Sequence, residues 1–263
     1  MNSSAPFVPC VSVVIPAYNE DQTLEGVVRK VLELPQIAEV IIVDDGSTDD
    51  TPRICEALSR FPKVRCIRMP RNRGKCEALK TGFAASTADI VIVQDADLEY
   101  DPTEIPDVIQ PILEGRADVV YGSRFLVRRA ARVLYFYHFV ANKSLTLFSN
   151  LLTNINFTDV ETGYKALRGE IIRNMVITST GFGVEIEITA KIAKLGCAVY
   201  EVPISYYGRT YEQGKKIGLS DGFMALWYIV KYNLFCSLKS SFTKLPNLQH
   251  EVGEHGSRVH TAS

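Results

Sequence analysis

Short runs rich in β-branched and other apolar residues alternate in this chain with segments whose apolar residues recur at helical spacing. The runs are Val11–Ile15, Glu39–Val43, Val64–Arg68, Ile90–Gln94, Asp118–Arg124 and Val199–Ile204. The helical segments include Thr23–Leu34, the residues after Asp49, the stretch from Asn72 to Ala85, and Gly181–Leu195. Strands that alternate with helices form βαβ units. The pattern therefore predicts an α/β fold with a mostly parallel central sheet flanked by helices, and Pro203 predicts an edge position for the last strand.

Three of the predicted strands lead directly into a polar cluster. The clusters are Tyr18-Asn19-Glu20, Asp44-Asp45 and Asp95-Ala96-Asp97. Ligands of open parallel sheets bind at the carboxyl ends of the strands, where these clusters are expected to meet. Each cluster alone is an ordinary set of turn residues, but together they concentrate negative charge and call for a metal or a cationic ligand. Asn72-Arg73-Gly74-Lys75 supplies cations nearby, although a basic helix start is also common as a solvated turn.

The third cluster places two carboxylates one residue apart. Mg²⁺ and Mn²⁺ take oxygen ligands and often lie between one or two carboxylates and the phosphates of a substrate. Asp95 and Asp97 are therefore predicted to form a metal-diphosphate site. The alternative for an isolated Asp-x-Asp is an acidic loop that caps the next helix.

Composition excludes several other classes of protein. The 263 residues have a formal net charge of −1 and no basic stripe, so nucleic acid is not an expected partner. The six cysteines are scattered without a Cys-x-x-Cys pair, which argues against zinc and disulfides and favours a reducing compartment. No Gly-x-Gly-x-x-Gly or P-loop pattern occurs. We also expect no signal peptide and no transmembrane helix.

Four motifs resemble those of the family 2 glycosyltransferases in order and in spacing. They are Val-Val-Ile-Pro-Ala-Tyr-Asn-Glu (13–20), Val-Asp-Asp-Gly-Ser-Thr-Asp (43–49), Asn-Arg-Gly-Lys (72–75) and Gln-Asp-Ala-Asp-Leu (94–98). Residues 121–125, 161–165 and 201–209 resemble the dolichol/polyprenyl-phosphate sugar synthase branch, which includes the dolichol-phosphate mannosyltransferases. The resemblance covers roughly residues 10 to 235.

This resemblance implies a GT-A fold, a nucleotide diphosphate sugar as donor, and Mg²⁺ or Mn²⁺ as cofactor. The donor-binding residues would be Pro16, Tyr18, Glu20, Asp45, Lys75 and Asp95. The metal ligands would be Asp95, Asp97 and Glu99, of which Glu99 stands where many relatives carry Gln. The catalytic residues would be Asp97, Arg124 and Arg209.

The same resemblance assigns an acceptor-phosphate site. Its residues would be Arg124, His138, Asn142, Arg209 and Lys216, with Lys215 as an alternative to the last. His138 and Asn142 stand where relatives carry an Arg and a Ser. For Arg124 the sequence alone equally allows a surface ion pair, and for 207–216 a plain loop. Glu187 would orient sugar hydroxyls or a loop.

Two apolar segments are expected to be interfacial helices that lie on a membrane surface, near 133–152 and 221–238. The alternative for the first is a helix that packs in the core. We expect an N-terminal arm at 1–9, a catalytic domain at 10–240 and a flexible tail at 241–263. The protein would be cytoplasmic and peripheral on the cytoplasmic face of a membrane; a membrane-anchoring partner or a homo-oligomer is left open.

The predicted function is inverting transfer of a hexosyl unit to polyprenyl or dolichyl phosphate. The donor would be GDP-mannose or a UDP-sugar. One alternative is transfer to a carbohydrate or glycolipid hydroxyl, which needs a base such as Glu161 or Glu187. Another is a non-catalytic nucleotide-sugar-binding or membrane-scaffold protein.

Overall fold

A computed structural model of the chain describes residues 9–126, 135–181, 183–208 and 219–248, with the side chains of 219–221 left out. Within these ranges one seven-stranded sheet forms the centre of the molecule, in the order β3-β2-β1-β4-β6-β5-β7. The strands are β1 (Val11–Ala17), β2 (Ile37–Asp44), β3 (Val64–Arg68), β4 (Ile90–Val93), β5 (Val119–Ser123), β6 (Lys165–Arg168) and β7 (Val199–Pro203). The predicted strands are confirmed, and β7 lies at an edge as expected.

The strand β6 is antiparallel to both of its neighbours, and the sequence pattern did not predict it. It pairs with β4 through Ile92 and Ala166, and with β5 through Val120 and Ala166. All other pairs in the sheet are parallel. Because β6 runs the opposite way, its amino end lies at the edge where β1, β2 and β4 end. The segment before β6 therefore reaches the same edge as the three polar clusters.

Helices cover both faces of the sheet. They are α1 (Leu24–Leu32), α2 (Thr51–Leu58), α3 (Lys75–Ala85), α4 (Ile105–Leu113), α5 (Phe136–Thr153), α6 (Gly169–Asn174), α7 (Val184–Leu195), α8 (Leu219–Leu234) and α9 (Leu238–Ser241). Side chains of a strand alternate between faces, so Val13 belongs to the buried cluster that contains Val27 of α1 and Ile105 of α4. Val14 belongs to the cluster on the other face, with Phe83 of α3 and Ile188 of α7.

The chain stays packed beyond the expected end of the catalytic domain. Ser241 and Phe242 are buried, Val176 N donates to Ser241 O at 2.9 Å, and Phe242 forms a β-bridge with Met175. The expectation of a flexible tail from 241 is therefore wrong for these first residues, because an aromatic side chain fills a gap beside α6. Residues 249–263, like 1–8, lie outside the described residues.

The two segments expected at an interface form α5 and α8, which pack against each other. Many large apolar side chains of these two helices, and Phe235 after α8, are exposed: Phe136, Tyr137, Phe139, Val140, Leu147, Leu151, Phe223, Met224, Leu226, Trp227, Leu234 and Phe235. In α5 the fully buried residues are Thr146 and Ser149. This distribution is opposite to that of a helix that packs in the core. Neither helix, nor any other in the described ranges, is long and apolar enough to cross a membrane.

Candidate active site

The loop after β2 is tied to the start of α3 by Asp45. Its Oδ1 accepts a hydrogen bond from Arg73 N at 2.8 Å, and its Oδ2 accepts one from Gly74 N at 2.7 Å. The side chain is almost fully buried. At Gly46, whose φ is +71°, a Cβ would lie 2.6 Å from the Arg71 carbonyl carbon, so only glycine fits beside this loop. Asp45 thus positions α3, and its contact with a donor stays a prediction.

The loop after β1 is bound to the loop after β2. Ser47 Oγ accepts from Asn19 N at 3.0 Å, and Thr51 Oγ1 accepts from Glu20 N at 2.9 Å. The polar clusters that follow β1 and β2 therefore meet at one edge of the sheet, as the sequence predicted. Pro16 lies within β1, paired with Val43, and Tyr18 follows directly at this edge. Donor binding by Pro16, Tyr18 and Glu20 remains a prediction.

Lys75 joins the third polar cluster to helix α7. Its Nζ lies 2.8 Å from Asp95 Oδ1 and 3.4 Å from Glu185 Oε1. Burial lowers the pKa of Lys75, but the charges of Asp95 and Glu185 outweigh burial and raise it above its usual range. Lys75 is therefore a permanent cation here.

Tyr100 and Gly163 close one side of this ion pair. Gly163 N donates to the Tyr100 hydroxyl at 3.1 Å, and a Cβ at Gly163 would lie 2.9 Å from Asp95 Oδ2. The Tyr100 ring stacks on Tyr164, with 5.2 Å between ring centroids, and lies 5.5 Å from the ring of Tyr206. The segment before the antiparallel strand β6 is thus in contact with Asp95.

Asp97 and Glu99 occupy the turn after Asp95. Asp97 Oδ1 accepts from Glu99 N at 3.1 Å, and Glu99 Oε2 accepts from the Tyr206 hydroxyl at 2.8 Å. Leu98 between them has a φ of 60°, an uncommon conformation for leucine that often marks a functional turn. The Glu99 carbonyl oxygen also accepts a hydrogen bond from Tyr207 N at 2.9 Å, so Glu99 anchors the described residues up to 208.

The predicted three-carboxylate metal site is not preassembled. Across the described residues, no group of three His, Cys, Asp or Glu side chains converges closely enough to hold a metal ion. However, both oxygens of Asp95 face a cation, the Lys75 ammonium, at 2.8 and 3.1 Å. Mg²⁺ often uses only one or two carboxylates and takes its other ligands from substrate phosphates and water. Asp95 and Asp97 fit such a donor-completed site. Glu99 Oε2 is engaged by the Tyr206 hydroxyl, and metal ligation by Glu99 stays a prediction.

Arg124 lies beside Tyr206, a member of the aromatic cluster formed by Tyr100, Tyr164 and Tyr206. Its Nε and Nη2 lie 2.6 and 2.7 Å from the two carboxylate oxygens of Asp159, and its Nη2 lies 3.3 Å from Asn142 Oδ1. The guanidinium carbon is 5.2 Å from the centroid of the Tyr206 ring. The ion pair is mostly buried, with Arg124 11% exposed, so the alternative of a surface ion pair is wrong.

The remaining acceptor-site residues are only partly brought together. Within α5, Asn142 Nδ2 donates to the His138 carbonyl oxygen at 2.8 Å. Since Asn142 also contacts Arg124, the structure connects Arg124 to Asn142 and to the backbone of His138. Arg209, Lys215 and Lys216 lie outside the described residues.

Glu187 is held in the protein interior. Its carboxylate accepts from Thr178 N and Ser179 N at 2.9 and 2.7 Å and pairs with Lys191 Nζ at 2.6 Å. Burial raises the pKa of Glu187, but the hydrogen bonds with Lys191 and Ser179 outweigh burial and lower it. Of its two predicted roles, these contacts match the orientation of a loop.

Glu161 differs from Glu187 in its hydrogen bonding and in the direction in which its pKa is shifted. Its Oε1 is buried and has no hydrogen-bond partner among the described residues. Burial, and then the neighbouring charge of Glu185, raise the pKa of Glu161 to about 7. Burial likewise lowers the pKa of the nearby Lys165 to about 8. A carboxyl group that titrates near neutral pH is suited to exchange a proton.

Sequence reasoning missed Glu185, Asp159 and Tyr100. Glu185 lies two positions before Glu187 in a Glu-Ile-Glu sequence, and only the position of α3 decides which glutamate meets Lys75. Asp159 precedes the motif at 161–165 and has no local signal of its own. Tyr100 follows the acidic turn, and its position between Glu99 and Asp101 is the only local sign that it belongs to the site.

The same fold occurs in solved sugar-transferring enzymes. Glucosyl-3-phosphoglycerate synthase from Mycobacterium tuberculosis, in complex with uridine diphosphate, superposes with a TM-score of 0.67 at 24% identity, over 85% of this chain and 80% of that one. Its complex with Mn²⁺, uridine diphosphate and glucosyl-3-phosphoglycerate gives a TM-score of 0.68 at 23% identity, over 86% and 80%. The chain therefore has the GT-A fold of nucleotide-diphospho-sugar transferases, as predicted.

The chain belongs to glycosyl transferase family 2, whose model matches residues 12–175. Its relatives include the dolichol-phosphate mannosyltransferase of Pyrococcus furiosus, which is 32% identical over 214 residues, covering 79% of this chain. Polyprenol monophosphomannose synthase of Mycolicibacterium smegmatis is 27% identical over 214 residues, covering 78% of this chain and 80% of that protein. The match spans 59% of the length of the Pyrococcus protein.

Proposed function

We propose that this family 2 glycosyltransferase moves a hexosyl unit, with inversion, from a nucleotide diphosphate sugar to polyprenyl phosphate. The observation that carries the proposal is the placement of two cation–carboxylate pairs around one aromatic cluster. Lys75 and Asp95 lie beside Tyr100, and Arg124 lies beside Tyr206, whose ring is 5.5 Å from that of Tyr100. Donor and acceptor are both anionic, so a cation on each side suits a reaction between them.

On the donor side, the start of α3, with Lys75 beside it, would lie near the diphosphate. A helix N-terminus and an ammonium both favour phosphate oxygens. Asp95 and Asp97 would hold Mg²⁺ or Mn²⁺, which when bound would stabilise the negative charge of the departing diphosphate. Mn²⁺ was found with uridine diphosphate in the Mycobacterium tuberculosis synthase, which supports a divalent cofactor.

On the acceptor side, Asp159 orients Arg124. It binds Nε and Nη2, one edge of the guanidinium, and a guanidinium carries further donors that suit phosphate oxygens. A phosphate acceptor is already anionic at neutral pH, so the reaction needs no strong base. Arg124 would position this phosphate and offset its repulsion from the donor, with Arg209 and Lys216 closing the site.

The lipid acceptor also gives the apolar faces of α5 and α8 a role. Tyr137 of α5 is 84% exposed, and Phe235, which directly follows α8, is 76% exposed; α5 and α8 pack against each other. Side chains of this kind are typical of helices that lie in the headgroup region of a membrane. We propose that these faces bind the cytoplasmic surface of a membrane, where Arg124 would meet the phosphate of the lipid.

One transfer assay tests this function. Purified protein is incubated with Mn²⁺, polyprenyl phosphate in detergent, and either GDP-mannose or UDP-glucose, and lipid products are measured by mass spectrometry. We expect a hexosyl phosphate lipid, whose sugar decides the donor. The matched control is the corresponding polyprenol, which lacks the phosphate and should give no product. The proposal would be contradicted if polyprenol gave product, or if polyprenyl phosphate gave no product with a donor that the protein binds.

A second candidate is transfer to a hydroxyl group. The pKa of Glu161, raised to about 7, favours it, because a base near neutral pH would activate a hydroxyl. Glu187 is unsuited to this role, since its carboxylate is fixed by Lys191 and the backbone of 178–179. Glu161→Gln separates the candidates: it would abolish transfer to a hydroxyl and leave most transfer to polyprenyl phosphate.

A further inference from the structure

Lys75 lies between two carboxylates that come from different parts of the fold. Its Nζ is 2.8 and 3.1 Å from the two oxygens of Asp95 and 3.4 Å from Glu185 Oε1. The other oxygen of Glu185, Oε2, is buried and accepts no hydrogen bond from the part of the chain that the structure describes. One ammonium therefore serves two carboxylates, and in this structure Asp95 holds it more closely.

The space around Asp95 is too narrow for two cations. The backbone of Gly163 closes over the pair so tightly that a Cβ there would lie 2.9 Å from Asp95 Oδ2 and 3.2 Å from Lys75 Nζ. A divalent ion at the same oxygens would meet the ammonium at close range and repel it, strongly so in a partly buried site. The Lys75 ammonium and a metal at Asp95 are thus mutually exclusive.

Glu185 offers the ammonium a second position. Glu185 is buried, with 6% of the residue exposed, and its Oε2 is the oxygen without a partner in the described ranges. Leaving a buried carboxylate oxygen without a donor is unfavourable. Lys75 needs only a small side-chain movement to approach Glu185, because Nζ is already 3.4 Å from its Oε1.

We propose that Lys75 is an internal counter-ion that moves from Asp95 to Glu185 when a nucleoside diphosphate brings its metal into the site. Until then Lys75 keeps divalent ions off Asp95. The inference rests on the proposed function, since it assumes a metal-bound diphosphate at this edge of the sheet. It predicts cooperative binding, in which metal and nucleoside diphosphate raise each other's affinity by the same factor.

Binding of Mn²⁺, measured from the electron paramagnetic resonance signal of the free ion, tests this directly. The wild type should bind Mn²⁺ weakly alone and more tightly with UDP or GDP. Lys75→Met, which removes the charge and keeps the length, should bind Mn²⁺ alone at least about tenfold more tightly and lose most of the cooperativity. The matched control is Lys80→Met on the same helix, whose Nζ pairs with Glu77 at 2.6 Å, and it should behave as the wild type.

A second variant tests the other position without removing Lys75. Glu185→Gln keeps the shape of the side chain but removes the charge that competes with Asp95. Lys75 should then stay on Asp95, so that Mn²⁺ alone binds no more tightly than in the wild type and UDP or GDP enhances binding less. Both variants therefore lose cooperativity, but the affinity for Mn²⁺ alone rises only in Lys75→Met.

The outcomes separate this inference from the proposed function. Wild-type affinity for Mn²⁺ and full cooperativity in Lys75→Met would overturn the inference and leave the function standing. If Lys75→Met does not fold, undiminished cooperativity in Glu185→Gln would overturn it. A wild type that binds no Mn²⁺ even with UDP or GDP would overturn the metal-dependent function, and the inference with it.

Discussion

Glu185 and Glu187 lie two residues apart in α7 and are both buried, yet their surroundings differ. Glu187 pairs with Lys191 at 2.6 Å, and backbone N–H groups of residues 178 and 179 complete its hydrogen bonds. Glu185 shares Lys75 with Asp95 and keeps one buried oxygen without a partner in the described residues. A buried charge with all its hydrogen bonds made stabilises one structure, whereas an incompletely satisfied one leaves a position for a ligand or a moving side chain.

The largest expected effect comes from a change in the proposed ligand site, next to the Asp95 and Lys75 pair that Glu185 contacts. Asp97→Ala should reduce transfer by about a thousandfold or more, because it removes a carboxylate from the site that stabilises the departing diphosphate. Thermal unfolding should stay close to that of the wild type. Normal transfer by this variant with saturating Mg²⁺ or Mn²⁺ would refute the metal assignment.

Removal of Glu187, whose hydrogen bonds are all made, should instead affect stability. Glu187→Ala leaves the buried ammonium of Lys191 without its partner, which typically costs about 3–5 kcal/mol of unfolding free energy. Urea denaturation measures the loss. If the free energy of unfolding changes by less than about 1 kcal/mol, the contrast between the two glutamates is wrong.

Arg124→Ala should weaken use of the acceptor and spare the donor. We expect the KM for polyprenyl phosphate to rise about tenfold to a hundredfold, since a charge-assisted hydrogen bond to phosphate is lost. The affinity for the nucleotide diphosphate sugar should not change. Asp159→Asn, which releases the guanidinium from its orienting partner, should shift KM in the same direction; an unchanged KM in both variants would remove Arg124 from the acceptor site.

Glu161, whose buried oxygen likewise has no partner in the described residues, should respond to pH in the opposite way to Glu187. The pKa of Glu161 in the folded protein is raised to about 7, so the stability it contributes is present below its unfolded pKa and is lost as pH rises through about 7. The pKa of Glu187 is lowered, so its contribution is present above the unfolded pKa and is lost as pH falls through the folded value. Unfolding measured across pH should lose the first dependence in Glu161→Gln, and a profile identical to that of the wild type would refute it.

The smallest effect is expected for the stability of Glu185→Gln. Asp95 keeps Lys75, and a buried charge with an unsatisfied oxygen is removed, so the free energy of unfolding should change by less than about 1 kcal/mol. Urea denaturation beside Glu187→Ala makes the comparison direct. A loss as large as that of Glu187→Ala would show that both glutamates are structural.

Local patterns predicted the parts of the site that follow parallel strands. The apolar runs before Asp44 and Asp95 identified strands β2 and β4, and hence which edge carries the acids. Strand β6 could not be predicted in this way, because four residues that begin and end with a charge, Lys165–Arg168, carry no strand period. Its direction depends on pairing with β4 and β5, which is a tertiary property.

The pairing of charges was also beyond local patterns. Glu99 has the spacing of a metal ligand, but Tyr206, more than a hundred residues away, donates to it. The ion pair between Arg124 and Asp159 joins residues 35 positions apart. Such partners follow from which strands neighbour each other, so sequence spacing identifies candidates and the fold selects among them.

The reversed direction of β6 also connects the candidate active site to the exposed apolar face of α5. The segment that enters β6 carries Asp159, and it is tethered to α5, since Lys143 Nζ donates to Thr158 O at 3.0 Å. The same helix presents the exposed apolar side chains and, through Asn142, touches Arg124. If the proposed lipid acceptor lay along α5, about one turn of helix would separate its apolar contacts, such as Phe139, from its charged contact at Asn142 and Arg124. Apolar contacts on α5 would then fix how far the acceptor phosphate reaches toward Arg124. An acceptor without a hydrocarbon chain would lack this constraint on the position of its phosphate.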